Sequence, residues 1–142
     1  MSELRITLVR TSCLLIEHDG RCLLTDPWFA SNMRGLPVFR RPGIALEDVP
    51  RLDMVLASHL HPDHFDDVAV RHLMHPDLAI VGTVGTAEHC RGFGAGLLLD
   101  MVPWQREEVA GFGLTATPAE HTGPPPLEVN FVIEAGPWRI FF

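Results

Sequence analysis

The sequence predicts an α/β domain. Strand and helix patterns alternate between residues 54 and 93, strand patterns fill both ends, and 142 residues suit one domain with a real core. Leu4 to Val9 alternates, with Leu4, Ile6 and Leu8 on one face and Arg5 and Thr7 on the other. Cys13 to Glu17 and Arg21 to Thr25 read as strands joined by the hairpin signal His18-Asp19-Gly20. The chain thus opens as a β-meander. Asp26 follows at a strand end, because Pro27 cannot continue the ladder; a plain turn aspartate is the equal alternative.

Residues 30–51 read as a long loop, broken by Gly35, Pro37, Pro42, Gly43 and Pro50 and carrying Arg34, Arg40 and Arg41. Such loops often serve as lids or substrate loops, although a solvated connection fits as well. Met54 to Ala57 is a short apolar strand, buried on both faces. Asp66 to Met74 reads as a helix with acids at its positive end, stopped by Pro76. Leu78 to Val81 is a strand and Thr86 to Phe93 a short helix. Strands return over Leu97 to Val102, then as a hairpin, Glu107 to Ala110 and Leu114 to Pro118, around Gly111-Phe112-Gly113. Val129 to Glu134 and Trp138 to Phe142 close the pattern across the Gly136-Pro137 turn, and the chain ends inside that last alternation.

The formal net charge of −7 argues against a nucleic-acid partner. Cys13, Cys22 and Cys90 are an odd count without framework spacing, so they read as small apolar residues, not disulfides. No apolar run approaches the ~20 residues of a membrane span, and the first residues lack a signal-peptide core. Cytoplasmic localisation is therefore expected.

Chemistry concentrates in Ser58-His59-Leu60-His61-Pro62-Asp63-His64, directly after the buried strand. Imidazole and carboxylate suit zinc and its first-row neighbours. His59 and His61 are two apart, so in extended backbone they point to one side and can clasp one ion. Asp63 and His64 follow the bend at Pro62 and serve a second ion more naturally, ~3.5–4 Å away as in two-metal hydrolysis. Three histidines packed together without an ion would need partners for several ring nitrogens. His121, ending a distant strand, is the candidate third ligand to the first ion, with an ordinary strand-end histidine as the alternative. His18, His72, His75 and His89 read as surface histidines.

His59-Leu60-His61-Pro62-Asp63-His64 resembles the H-x-H-x-D-H signature of the metallo-β-lactamase superfamily. Leu23-Leu24-Thr25-Asp26-Pro27-Trp28-Phe29 and Ala116-Thr117-Pro118-Ala119-Glu120-His121 resemble two further motifs of the branch containing ascorbate-6-phosphate lactonase and N-acylphosphatidylethanolamine phospholipase D. The resemblance implies an αββα sandwich, of which residues 1–142 hold the first half and the start of the second as a single, C-terminally incomplete domain. It implies that His59, His61 and His121 bind one metal and that Asp63 and His64 bind another. Asp26 would orient the ligands, and Asp63 would be catalytic, holding the attacking water. The family carries a Gly-His pair where Arg10-Thr11 stands here, and a bridging aspartate and a last histidine that have no counterpart before Phe142.

The implied activity is metal-dependent hydrolysis, with a metal-bound hydroxide attacking a phosphoester, lactone or related ester. Zinc and manganese fit equally; the complete site holds two ions and this chain is expected to hold one tightly. The alternative is a truncated or degenerate metal-binding module, inactive alone or needing a partner chain. A (β/α)₈ barrel is excluded by length, since ~250 residues are typical. The expected partner is a small-molecule substrate, for which Arg34, Arg40 and Arg41 could contact an anionic group. A homo-oligomer could form through the C-terminal strand edge.

Overall fold

The computed structural model describes residues 3–120 and 128–142. The opening meander forms as expected: β1 (Leu4–Arg10), β2 (Cys13–His18) and β3 (Arg21–Thr25) pair antiparallel. Asp19 and Gly20 both take positive φ, 50° and 75°, which a two-residue turn between twisted strands requires. The loop read over 30–51 contains a small hairpin, β4 (Asn32–Met33) and β5 (Leu36–Pro37), and a 3₁₀ turn over Leu46–Asp48. Two-residue strands leave no periodicity to read, which is why the sequence shows only a loop.

Next come β6 (Met54–Ala57), α1 (Asp67–His72), β7 (Ala79–Thr83), α2 (Thr86–His89) and β8 (Leu97–Met101). Asp66 is not in the first helix but caps it, its carboxylate accepting from the Val68 and Ala69 amides. The second helix is one turn long and stops well short of Phe93. The chain ends in β9 (Arg106–Val109), β10 (Phe112–Pro118), β11 (Val129–Ala135) and β12 (Trp138–Phe141). Phe112, expected in a turn, is a fully buried strand residue; Ala110 and Gly111, both at positive φ, make the turn instead.

These strands form two main sheets. The first runs β1-β2-β3-β6-β7-β8, with β3, β6, β7 and β8 parallel; the second runs β12-β11-β10-β9, all antiparallel. The sheets stack through Ile16, Leu23, Met54, Leu56 and Met101 on one side and Phe112, Leu114, Phe131 and Ile133 on the other. Burying one such side chain fully contributes about 1.5–3 kcal/mol. The opposite face of the six-stranded sheet packs Leu24, Val55 and Ile80 against Val70, Phe65 and Cys90. Because both faces are covered, β6 and β7 are buried at every residue, and all but Thr83 at the end of β7 are apolar or glycine. No helix among the described residues is long and apolar enough to cross a membrane.

The meander departs from its expected burial. Leu4, Ile6 and Leu8 do share the inner face, but Ile6 is 46% and Leu8 62% exposed, because the four-stranded sheet does not reach them. His18, expected at the surface, is 8% exposed. The β11–β12 turn lies on it so closely that a Cβ at Gly136 would stand 2.8 Å from its ring. His75 and His89 are engaged as well: His75 Nε2 donates to the Leu52 carbonyl at 2.8 Å and His89 Nε2 to Asp67 Oδ1 at 2.7 Å. His72 is exposed.

All three cysteines are free thiols, Cys13 and Cys90 buried and Cys22 half-buried. Burial pushes Cys13 and Cys90 from 9.0 up to about 12, and raises Cys22 as well. In the native protein at pH 8, a thiol reagent is expected to label Cys22 slowly and the other two only after unfolding, as read by mass spectrometry. The thiols of Cys13 and Cys90 ionise earlier in the unfolded chain than in the folded one. Their contribution to stability is therefore complete below pH 9 and lost as the pH climbs toward 12.

Candidate metal centre

Parallel strands β3 and β6 end side by side, and the loops leaving their carboxyl ends meet there. This is the rim where open α/β sheets place ligands. Asp26 follows β3 with its amide bonded to the Leu56 carbonyl at 2.9 Å. Its φ is 33°, a backbone region that aspartate and asparagine tolerate better than most residues. This turn drives the carboxylate inward, where it is 1% exposed. Asp26 Oδ1 accepts the Ser58 amide at 2.7 Å, and Oδ2 accepts the Ser58 hydroxyl at 2.7 Å and His64 Nδ1 at 2.6 Å.

Ser58, His59, His61 and His64 leave the end of β6. Pro62 bends the chain, and the His64 and Phe65 amides both close onto the His61 carbonyl at 2.8 Å. The turn brings the imidazoles together. The His59 ring centroid lies 4.6 Å from that of His61 and 4.1 Å from that of His64. The Ser58 hydroxyl proton is committed to Asp26, so His59 Nδ1, 3.0 Å from Ser58 Oγ, is assigned as the donor of that contact. His64 Nδ1 donates to Asp26. In the neutral rings of both His59 and His64, Nε2 then bears the lone pair.

The surroundings tune the two rings in opposite directions. Burial holds His59 below the usual histidine range, and the neighbouring His64 adds to this. The Asp26 hydrogen bond raises His64 against the opposing effect of burial. Asp63, with its side chain 44% exposed, sits with Oδ2 3.8 Å from His64 Nε2, the nitrogen turned away from Asp26.

Asp26, His59, His61, Asp63 and His64 therefore share one rim. Asp26, His59 and His64 each offer a ligand atom within 4.8 Å of the others. This trio differs from both expected ligand sets. Both Asp26 oxygens are already committed to Ser58 and His64, which suits a carboxylate that orients a ligand. Three imidazoles and a half-exposed carboxylate on one rim form a donor set that fits a divalent first-row ion. His121 lies outside the described residues.

Four further residues make contacts at the rim that were not expected. Ser58 links Asp26 to His59, a task the sequence does not assign to it, although it stands first in the ligand-rich stretch. Ser12 Oγ lies 3.1 Å from His64 Nδ1. Glu128 Oε1 lies 3.8 Å from His59 Nδ1, next to the Val129 amide that bonds to the Ser58 carbonyl at 3.2 Å. Asp66 ties the two strand-end loops together, with its amide on the Pro27 carbonyl at 2.8 Å and its Oδ2 on the Phe29 amide at 3.1 Å.

Residues 21–142 match the family described as "Beta-lactamase superfamily domain". Among curated relatives, N-acyl-phosphatidylethanolamine-hydrolyzing phospholipase D 1 of Caenorhabditis elegans is 28% identical over 138 residues, covering 86% of this chain and 39% of the relative. A UPF0173 metal-dependent hydrolase of Cupriavidus necator is 30% identical over 106 residues, covering 74% of this chain and 32% of the relative. The chain thus spans well under half the length of these relatives. The fold is shared with CmlA, a diiron beta-hydroxylase from Streptomyces venezuelae, at a TM-score of 0.77 and 18% identity over 100% of this chain and 29% of that one. It is shared too with Igni18, a metallo hydrolase from Ignicoccus hospitalis, at a TM-score of 0.71 and 18% identity over 96% of this chain and 58% of that one.

Proposed function

Because this chain belongs to the beta-lactamase superfamily domain family, we propose that the rim at Asp26 and Ser58–His64 is the metal centre of a hydrolase acting on phosphoesters, lactones or related esters. The observation that carries the proposal is the convergence of three imidazoles, with Nδ1 of His59 and His64 held from behind by Ser58 and Asp26. His59, His61 and His121 would hold one ion, and Asp63 and His64 the second. Zinc and manganese both match these ligands. Bound there, divalent ions supply a nucleophile at neutral pH and stabilise the negative charge that develops on the substrate oxygens.

The chain's own groups have distinct tasks. Asp26 fixes the His64 ring through Nδ1, so that Nε2 faces Asp63. Ser58 passes the same constraint to His59. Asp63 holds the attacking water at a carboxylate oxygen and takes its proton. Burial keeps His59 neutral, the form in which imidazole is a ligand.

The test is elemental analysis of the purified chain together with hydrolysis assays. About one equivalent of zinc or manganese is expected to remain bound after desalting, since among the described residues the second ion has only Asp63 and His64. Chelation is expected to abolish any turnover of a nitrophenyl phosphodiester or a lactone. An ion bound without turnover would favour the second reading, a non-catalytic metal-binding module. Absence of any bound ion would defeat both.

A further inference from the structure

A groove of about 650 Å³ lies where the end of β1 and Trp28 meet residues 38–43, within the size range of small-molecule sites. Its apolar wall is Leu8, Trp28, Val38 and Phe39, and its charged members are Arg10, Arg40 and Arg41. Two of its residues lead directly to the centre. Thr11 precedes Ser12, which touches His64, and Trp28 lies two residues beyond Asp26.

The charge here runs against that of the whole chain. The protein carries −7, yet among the described residues no carboxylate lines the groove. Among the described residues, none of Arg10, Arg40 and Arg41 enters an ion pair, whereas Arg21, Arg51, Arg91, Arg106 and Arg139 all do. Arg10 is the unusual one, an arginine only 9% exposed. It donates to the carbonyls of Ala30 at 2.8 Å and Arg40 at 2.7 Å, and stacks 4.8 Å over Trp28. Its Nε is buried without a hydrogen-bond partner among the described residues. A buried cation held only by carbonyls and a ring creates a positive potential that a nearby anion relieves. Phe39, 91% exposed, stands beside Arg40 and Arg41 with no covering group.

We propose that this groove binds an amphipathic oxyanion, with its apolar body on Leu8, Val38 and Phe39 and its carboxylate or phosphate paired to Arg40 and Arg41 over the field of Arg10. Arg10 is then a positioning residue, tying the 30–41 loop to β1 and fixing the groove's shape. This deepens the proposed function, on which it rests only for the claim that the bound anion is the unreacting part of the substrate. An ester placed on the centre would extend its anionic, apolar portion along the groove.

The test follows tryptophan fluorescence of the whole chain during titration with monomeric decanoate, decyl phosphate, decanol and inorganic phosphate, each with and without a chelator. Decanoate and decyl phosphate are expected to saturate. Decanol and inorganic phosphate are expected to bind at least ~10-fold more weakly, because each lacks one half of the recognition. The exposed double variant Arg40→Gln/Arg41→Gln is expected to weaken decanoate at least ~10-fold. Trp28→Phe is expected to remove the signal, leaving Trp104 and Trp138 unperturbed.

The assignment would be overturned by decanol binding as tightly as decanoate, decanoate binding unchanged in the arginine double variant, a signal that persists in Trp28→Phe, or binding to anionic vesicles without binding to monomeric decanoate. Decanoate binding that survives chelation supports the groove whether or not the centre holds an ion. Absence of decanoate binding with the metal content intact defeats the groove alone.

Discussion

Asp26→Ala is expected to lower the stability of the fold by on the order of 3 kcal/mol. The carboxylate accepts from the Ser58 amide, the Ser58 hydroxyl and His64 Nδ1, all within 2.7 Å. Alanine leaves three donors without their acceptor, and Asp26 and Ser58 lie where water hardly reaches, 1% and 6% exposed. The penalty of an unmade buried hydrogen bond, and not the modest net value of a made one, sets the size of the effect. In a thermal melt it corresponds to a drop of ~10 °C for a domain of this size. Asp26→Asn keeps one acceptor oxygen and the side-chain volume, so it should fall between wild type and alanine. A melting temperature for Asp26→Ala equal to wild type would show that the network does not hold the rim together. If the rim carries metal, the same substitution should also weaken ion binding by ~10–100-fold, the usual effect of losing a group that orients a ligand.

His59→Ala is expected to remove nearly all of the tightly held ion. Losing an orienting partner alone costs ~10–100-fold in affinity, so losing a ligand should cost more than ~100-fold. The His59 ring sits between those of His61 and His64 and is 2% exposed, so neither solvent nor a neighbouring side chain can take its place. Elemental analysis of the desalted variant reads the effect, and circular dichroism shows whether the fold persists. His72→Ala is the control: that imidazole is exposed on α1 and its removal should leave metal content unchanged. Equal metal in His59→Ala and wild type would refute the assignment of the rim as a metal centre.

The parts of this site that could be read from sequence are the local ones. His59, His61, Asp63 and His64 fall within one turn of chain after an all-apolar strand, so spacing alone placed them together. Asp26 was legible because proline must end the strand before it. The more distant groups around these residues were not legible. Ser12 meets His64 across 52 residues of chain, and Glu128 approaches His59 from the other sheet. No local period encodes such contacts, since they arise only when sheets stack. His18 was misread for the same reason: a turn from the second sheet covers it. Phe112 was misread because glycines on both sides suggested a longer turn than the two residues that suffice. The groove was half-visible. Arg40 and Arg41 could be assigned to an exposed loop, but the buried Arg10 stacked on Trp28 could not.

The two main sheets differ in width, six strands against four. The narrower sheet stops at β12 and leaves Ile6 and Leu8 uncovered on the inner face of the wider one, with Trp138 48% and Phe141 71% exposed along its own margin. Such a margin is a place where a further stretch of polypeptide could be laid. If copies of the chain cover it for one another, stability becomes a function of concentration, and the melting temperature should rise as the protein is concentrated. A melting temperature independent of concentration would show that this margin stays wet in the folded protein.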